Sequence, residues 1–372
     1  MQSQLTEKIS PTERLVADTV RRFGPMARAS LPGQTGLSQA TVHRAIDRLE
    51  EAQIIQLGES AANGPGKPSP VVSIKGSTVY GLGLCINTDA ITFSLADLRG
   101  VTRVTENITA DANDPQSVAK EILTRIREIR DGGSLKTEQL CGMGISMPGF
   151  RDQSANSFQT PRPLSAWRGI EVDNFFRNAT GFDAFVENNG ACGALAELFA
   201  GHGVQDQSFG YLSFNFGFGG GIVLDGSLVR GARGNAGEIG KVFTNEQMEH
   251  RPALGELLQR LSAHGIVLDR VSDLNTRFER EWPGVNEWIT EVTPYLDLAI
   301  RAITAVVDPS FIVFGGEAPP ALKTMLLDAS AKQFIDRWGR TFPMPTLKSS
   351  NIPGDPALLG AAFLAMKNRV FL

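Results

Sequence analysis

The sequence predicts an α/β protein with a small N-terminal domain, residues 1–76, and a larger two-lobed domain, residues 77–372. Length is the first reason, because chains beyond about 250 residues usually divide into domains. The second is a change of pattern: helical periodicity dominates the first 75 residues, whereas short apolar strands, Gly-rich turns and helices alternate in the remainder. Charge changes as well, from +2 over residues 11–75 to −6 over residues 76–372.

The N-terminal domain begins with two predicted helices and a turn. Apolar residues recur at helical spacing between Pro11 and Gly24, which predicts one amphipathic helix. A second helix is expected over residues 27–35. The segment from Gly36 to Ser38 then predicts a sharp turn, in which the Ser38 hydroxyl caps the helix that follows.

That third helix, expected over residues 39–52, divides into two faces. Val42, Ile46 and Leu49 fall on one side and are expected to be buried. Polar side chains project from the other sides: Gln39, Thr41, His43, Arg44 and Arg48. A helix that reads bases in the major groove of DNA needs this arrangement.

A short apolar run at residues 54–57, a Gly/Pro/Ser-rich loop at 60–70 and a strand at 71–74 predict a β-wing. With TGLSQATVHR before it, this segment resembles the winged helix-turn-helix of bacterial repressors. Gly66-Lys67-Pro68 resembles their Gly-Arg-Pro minor-groove element, with Lys67 as a weaker reader of groove shape than Arg. The predicted DNA-binding residues are Ser38, Gln39, Thr41, His43, Arg44, Arg48 and Lys67. A protein-interaction module of three helices is the alternative.

Several classes of site are not expected. Cys85, Cys141 and Cys192 are far apart and lack the spacing of a zinc site or a disulfide framework, which favours a reducing cytoplasm. The chain has neither a signal-peptide pattern nor the run of about 20 apolar residues that spans a membrane. We therefore expect a cytoplasmic protein without metal or cofactor.

The larger domain carries motifs in a characteristic order. After a predicted hairpin at 80–100, these are CGMGISMPGF (141–150), FDAFVENNGACGALAE (182–197), a Gly-rich segment (211–241), DPSFIVFGGEAPP (308–320) and ALLGAAFLA (357–365). In this order they resemble the ROK family of repressors, open reading frames and sugar kinases. The resemblance spans nearly the whole chain, since ROK repressors also begin with a winged helix-turn-helix. It implies an actin-like (ribonuclease H-like) sugar-kinase fold with a cleft for sugar and, in the enzymes, ATP.

Departures from the kinase motifs imply that phosphoryl transfer is lost. Cys85 stands where the kinases have an acid of the magnesium–phosphate site, and Asp89 adds negative charge where a phosphate would lie. Phe216 replaces a phosphate-binding hydroxyl. Asn189 replaces the Asp that accepts the sugar hydroxyl proton, and an amide cannot take that proton.

Other positions imply that sugar binding is kept. Asn188, Asn189 and Glu238 match sugar-contacting positions, although an Asn-Asn-Gly turn without ligand is the alternative for the first two. Lys241 stands where the family has a zinc-ligating His, and the Cys-rich zinc loop is missing. Lys241 is expected either to pair with Glu238 or to recognise an acidic sugar or phosphate. Trp167 is either an aromatic lid or core.

Together these features predict a DNA-binding regulator, most simply a repressor of carbohydrate genes. Its expected partners are double-stranded operator DNA, a carbohydrate effector and further copies of itself in a homodimer or homotetramer. The enzyme alternative is an ATP-dependent sugar kinase with an accessory DNA-binding domain. A regulator that answers only to a protein partner is a third.

Overall fold

The computed structural model describes residues 9–61, 69–132, 136, 139–152 and 157–372. At the N-terminus, three helices pack beside a small sheet of order β1-β3-β2. The elements are α1 (Pro11–Phe23), β1 (Met26–Ala27), α2 (Leu31–Thr35), α3 (Gln39–Glu51), β2 (Ile55–Ala61) and β3 (Ser69–Ile74). The wing tip with Lys67 lies outside the described residues.

Side-chain caps fix where α1 and α3 begin. Ser10 and Glu13 form a reciprocal capping box at the start of α1. The Ser38 hydroxyl accepts a 3.2 Å hydrogen bond from the Thr41 amide, so the predicted cap of α3 is confirmed. Gly36 ends α2 at a φ of +70°, a conformation that favours glycine.

The helix predicted over residues 27–35 is shorter than expected. Met26 and Ala27 pair with β3 as a short strand, and Arg28–Ser30 form a single 3₁₀ turn before α2. Pairing with a strand more than 40 residues away satisfies backbone groups that a helix would otherwise use. The local periodicity of the sequence cannot predict a contact with so distant a strand.

The small lobe of the larger domain is built on a five-stranded sheet of order β10-β7-β4-β5-β6. β4, β7 and β10 run parallel, and β5 and β6 run antiparallel beside them. The elements are β4 (Tyr80–Ile86), β5 (Ile91–Asp97), β6 (Thr102–Asn107), α4 (Pro115–Asp131), β7 (Leu140–Met147), β8 (Phe150–Asp152), β9 (Ser157–Gln159), α5 (Val172–Thr180) and β10 (Ala184–Asn188).

The large lobe repeats that topology with a sheet of order β13-β12-β11-β14-β17. Its elements are α6 (Asn189–Ala200), β11 (Phe209–Phe214), β12 (Phe218–Leu224), β13 (Ser227–Leu228), α7 (Leu254–Ala263), α8 (Leu274–Arg277), α9 (Val285–Val307), β14 (Phe311–Gly316), α10 (Pro320–Ala329), β15 (Phe334–Ile335), β16 (Thr341–Phe342), β17 (Thr346–Ser349) and α11 (Pro356–Arg369). Two sheets of one topology confirm the predicted two-lobed, actin-like fold.

Three apolar clusters form the core. One lies in each lobe, and the third joins the N-terminal helices to α6 and α11. Trp167 is fully buried in the small-lobe cluster, where its indole N–H donates to the Ala112 carbonyl at 2.7 Å. It is therefore core and not a lid. Among the described residues, no helix is both long and apolar enough to cross a membrane.

Candidate functional site

The surface of α3 has the two faces that its sequence predicts. Val42, Ala45, Ile46 and Leu49 are buried. The candidate DNA-binding residues of the described chain lie on the other side: Ser38, Gln39, Arg44 and Arg48 are exposed, and Thr41 and His43 are half-buried. The division into faces is confirmed, and contact of the polar face with DNA stays a prediction.

The arginines on the polar face of α3, and Arg28 of the preceding 3₁₀ turn, differ in how much of their charge is neutralised by carboxylates. Arg48 lies 3.3 Å from the buried Glu13 carboxylate, although 72% of its side chain is exposed. Arg28 pairs with Asp47 at 3.1 Å. Arg44 has no carboxylate within 4 Å among the residues described, so its guanidinium is available to a phosphate or a base edge.

Between the lobes lies a cavity of about 370 Å³. Small-lobe residues supply one wall and large-lobe residues the other. Lining side chains include Asn87, Thr88, Phe150, Gln159, Asn189, Asn215, Phe216, Phe218, Glu238, Lys241 and Arg251. Its volume is at the lower end of the roughly 300–1,000 Å³ typical of small-molecule sites. The predicted effector residues Asn189, Glu238 and Lys241 are thus brought together.

Asn188, the fourth predicted effector residue, is occupied elsewhere. Its side-chain oxygen accepts from the Gly190 amide at 2.7 Å and caps α6. Its side-chain nitrogen donates to the Gly149 carbonyl at 2.6 Å. It is absent from the described cavity lining, and both of its polar atoms have protein partners.

Asn189, which the sequence predicts to stand at the position of the kinase base, has a hydrogen-bond partner on each of its two amide atoms. Its Oδ1 accepts from the Ser146 hydroxyl at 2.7 Å, and its Nδ2 donates to Asn87 Oδ1 at 2.7 Å. Asn87 then donates to Glu317 Oε1 at 3.3 Å across the lobes. The amide is oriented by these contacts and has no basic atom with which to remove a hydroxyl proton.

Two carboxyl groups at the cleft floor were missed by the sequence predictions. Glu317 follows β14, and Asp355 caps α11 and accepts from Asn215 at 3.4 Å. Burial raises the pKa of Glu317 well above its usual range, and the nearby Asp355 adds to the rise. Burial likewise raises the pKa of Asp355. The Asp-Pro start of α11 is a helix-capping signal that would have placed Asp355 at a helix terminus.

Glu238 and Lys241 occupy one turn of the large lobe, in or beside the 3₁₀ segment Ile239–Val242. Burial raises the pKa of Glu238 to about 7, and the positive charge of Lys241 opposes that rise. The Lys241 ammonium lies 4.9 Å from the centre of the Phe150 ring, a cation–π distance. Glu238 and Lys241 do not form the predicted ion pair, because their charged atoms are more than 4 Å apart. Lys241 still lowers the pKa of Glu238 through its positive charge.

The residues present do not fit the zinc ion of the family. Lys241 replaces the His ligand, and the cysteines are buried in the core away from this turn. His250, the nearby imidazole, is hydrogen-bonded through Nδ1 to Glu291 Oε1 at 2.7 Å. A protonated lysine has no lone pair with which to bind a metal.

Two helices connect the cleft floor to the N-terminal helices. α6 begins at Asn189 and α11 begins after Asp355, both residues of the floor. At its other end α6 offers the Phe199 carbonyl, which accepts from Arg21 of α1 at 2.8 Å. The Arg21 guanidinium also lies 4.1 Å from the Phe199 ring centre.

The C-terminal end of α11 is likewise hydrogen-bonded to an arginine of α1. Arg14 of α1 donates to the carbonyls of Phe371, at 2.7 Å, and Lys367. α6 and α11 therefore run between the cavity of the cleft and α1, the first helix of the N-terminal domain.

Comparison with known proteins identifies the family. A model of the ROK family matches residues 81–368, and the chain belongs to that family. The fold is similar to a solved ROK family transcriptional regulator described as a homologue of the E. coli MLC protein, with a TM-score of 0.69, 20% identity and coverage of 95% of each chain.

Relatives within the family carry different names. An uncharacterised protein of Sinorhizobium fredii, y4fQ, is 26% identical over 95% of this chain and 90% of its own length. The xylose repressor of Bacillus spizizenii is 27% identical over 61% of this chain and 59% of its own. A beta-glucoside kinase of Klebsiella pneumoniae is 25% identical over 60% and 77%.

Proposed function

We propose that the protein is a DNA-binding transcriptional regulator, a repressor of carbohydrate-utilisation genes, whose operator affinity changes when a sugar or sugar derivative binds in the cleft. The supporting observation is the path of α6 and α11, which begin at the cleft floor and end against Arg21 and Arg14 of α1. The xylose repressor among the relatives supports the same class.

In this proposal the protein acts on operator DNA in the cytoplasm as a homodimer or homotetramer. Two copies of α3 enter successive major grooves of a pseudo-palindromic operator. Gln39 and Arg44 have the donors to read A or G, while Ser38, Thr41, His43 and Arg48 contact bases or phosphates. The wing residue Lys67 reaches the minor groove.

The effector acts by binding one arrangement of the lobes more tightly than the other. Such coupling is typically worth about 1–3 kcal/mol, or 5–150-fold in affinity. Because α6 and α11 contact both the cavity floor and α1, a change in lobe separation alters the position of the helix-turn-helix.

DNA binding is tested by selecting an operator from random duplex DNA and measuring its affinity by fluorescence anisotropy. Arg44→Ala and Lys67→Ala should each weaken binding, by roughly tenfold for Arg44, with a smaller dependence on salt. Arg127→Ala, an exposed position on α4, is the matched control. Unchanged operator affinity in both test variants would rule out this mode of docking.

Sensing is tested by adding a panel of sugars to the same operator assay. At least one sugar should change the affinity, and Arg21→Gln should reduce that change while calorimetry shows the sugar still bound. If no sugar binds or changes operator affinity, a regulator that answers only to a protein partner is the better account.

The second candidate is an ATP-dependent sugar kinase with an accessory DNA-binding domain, which the beta-glucoside kinase relative favours. Coupled assays of ATP-dependent phosphorylation across the sugar panel separate the two. We expect no turnover above background, and Asn189→Asp alone should not restore it while Cys85 and Phe216 remain. Robust turnover by the unaltered protein would overturn the regulator proposal.

A further inference from the structure

The charged side chains that line the described cleft cavity are mostly cationic. They are Lys241, Arg251 and Glu238. Burial raises the pKa of Glu238 to about 7, so near neutral pH this carboxyl group is uncharged in a large fraction of the molecules. Two cations and one partly protonated carboxyl group thus line the cavity, whereas a neutral sugar requires no cation.

Lys241 is positioned but not neutralised. It is exposed, and within the described ranges no carboxylate lies within 4 Å of its ammonium. The Phe150 ring holds the ammonium at the cavity wall by a cation–π contact, which leaves its N–H donors free for an anion. A lysine in this state is a ready partner for a carboxylate or phosphate.

Arg251 contributes a second, partly satisfied cation. One terminal nitrogen donates to the Met248 carbonyl, and the other lies 3.7 Å from the Glu256 carboxylate, beyond hydrogen-bond distance. A guanidinium has five N–H donors, so these contacts leave several available. Arg251 lines the same cavity as Lys241.

The rest of the cavity suits a sugar ring. Phe150, Phe216 and Phe218 provide apolar walls, and Gln159 and Asn189 are among the polar lining side chains. Each polar atom of the Asn189 amide has one protein partner, which leaves a second N–H and a second lone pair for hydroxyl groups. A volume of about 370 Å³ suits one small molecule. Anion-binding donors and a sugar-sized polar pocket thus occur in one cavity.

We infer that the cleft binds an anionic monosaccharide, a sugar acid or a sugar phosphate, whose acidic group lies against Lys241 and Arg251. This inference rests on the proposed function and narrows its ligand class. The ring lies between the aromatic walls, with its hydroxyls toward Asn189 and Glu238.

The test is isothermal titration calorimetry of the full chain with matched ligand sets. Each set contains a neutral aldose, its uronate and its 6-phosphate: for example glucose, glucuronate and glucose 6-phosphate, and the galactose series. Inorganic phosphate and acetate serve as anions without a ring. In at least one set an acidic member should bind about tenfold or more tightly than the neutral parent, the effect of one charge-assisted hydrogen bond.

Variants assign that preference to the two cations. Lys241→Gln and Arg251→Gln should each remove most of the difference in affinity between the acidic and the neutral members of a set. Lys241→Arg should keep the preference. Lys120→Gln, an exposed lysine on α4, is the control that should change neither affinity. Melting temperatures equal to that of the unaltered protein show that the variants fold.

The outcomes distinguish this inference from the function on which it rests. Neutral sugars that bind as tightly as their acids would overturn the inference and leave the sugar-sensing regulator intact. Binding of inorganic phosphate as tight as that of the sugar acids would also overturn it, because the ring would then contribute nothing. An absence of binding by every sugar would overturn the sensing proposal itself. The uronate and phosphate arms decide which acid is preferred.

Discussion

The two halves of the cleft have opposite arrangements of polar groups. In the phosphate half, defined here as Asn87, Asn189, Asn215, Glu317 and Asp355, side chains bond to one another and are buried or nearly so. In the sugar half, defined as Glu238, Lys241 and Arg251 with their aromatic neighbours, polar atoms face an open cavity.

The difference means that polar groups in one half of the cleft stabilise the fold, whereas polar groups in the other half can bind a ligand. A buried polar network is stable only when its members satisfy one another, and the side chains of the phosphate half bond to one another in this way. The cations of the sugar half have N–H donors that no protein atom within the described residues accepts, so a ligand that accepts hydrogen bonds from them binds more tightly. One cleft therefore contains both a region whose polar groups are satisfied by the protein and a region whose cations keep donors for a ligand.

The largest expected effect comes from Gly360, behind the phosphate half. A Cβ at this position would overlap the carbonyl oxygen of Cys192, where α11 crosses α6. Gly360→Ala should therefore lower the free energy of unfolding by about 3 kcal/mol or more, which urea denaturation measures. Gly217→Ala, on the open side of the cleft where no atom lies within 4 Å, should change it by less than about 0.5 kcal/mol. Equal effects would show that the two regions are equally packed.

A smaller effect is expected from Asn87, the residue that joins the amide network to Glu317. Asn87→Ala removes the partner of Asn189 Nδ2 and of Oε1 of the buried Glu317, which should cost about 1–3 kcal/mol in urea denaturation. Thr88→Ala, next in the chain and lining the cavity, is the control and should cost less than about 0.5 kcal/mol. A tolerated Asn87→Ala would mean that the network is not needed for stability.

The contrast also shows what the sequence could predict. The faces of α3, the hairpin of β4 and β5 and the cap at Ser38 follow from local spacing and side-chain chemistry, and the structure confirms them. The two-lobed fold followed from the order of the motifs. Asn188 carried a local signal that was passed over, because an Asn directly before a helix is a common N-cap.

The remaining features depend on contacts between distant segments. β1 forms because β3 pairs with it, so the helix predicted from residue 27 starts later. Glu317 and Asp355 are 38 residues apart and meet only when β14 and the start of α11 reach the same edge of the large-lobe sheet. Neither arrangement is visible in periodicity or spacing along the chain.

The smallest expected effect is a pH-dependent change in stability at Glu238, in the sugar half. In the unfolded chain Glu238 ionises near its ordinary value of 4.5, and in the folded protein burial raises its pKa to about 7. The unfolded state therefore releases this proton first, so the contribution of Glu238 to folding stability falls as pH rises from about 4.5 to 7 and is constant above that. Glu238→Gln removes this loss and should stabilise the ligand-free protein by about 1–2 kcal/mol at pH 8, with no gain at pH 4. Melting temperatures at the two pH values measure it, and a gain of the same size at both would show that the glutamine acts by packing and not by removing a buried charge.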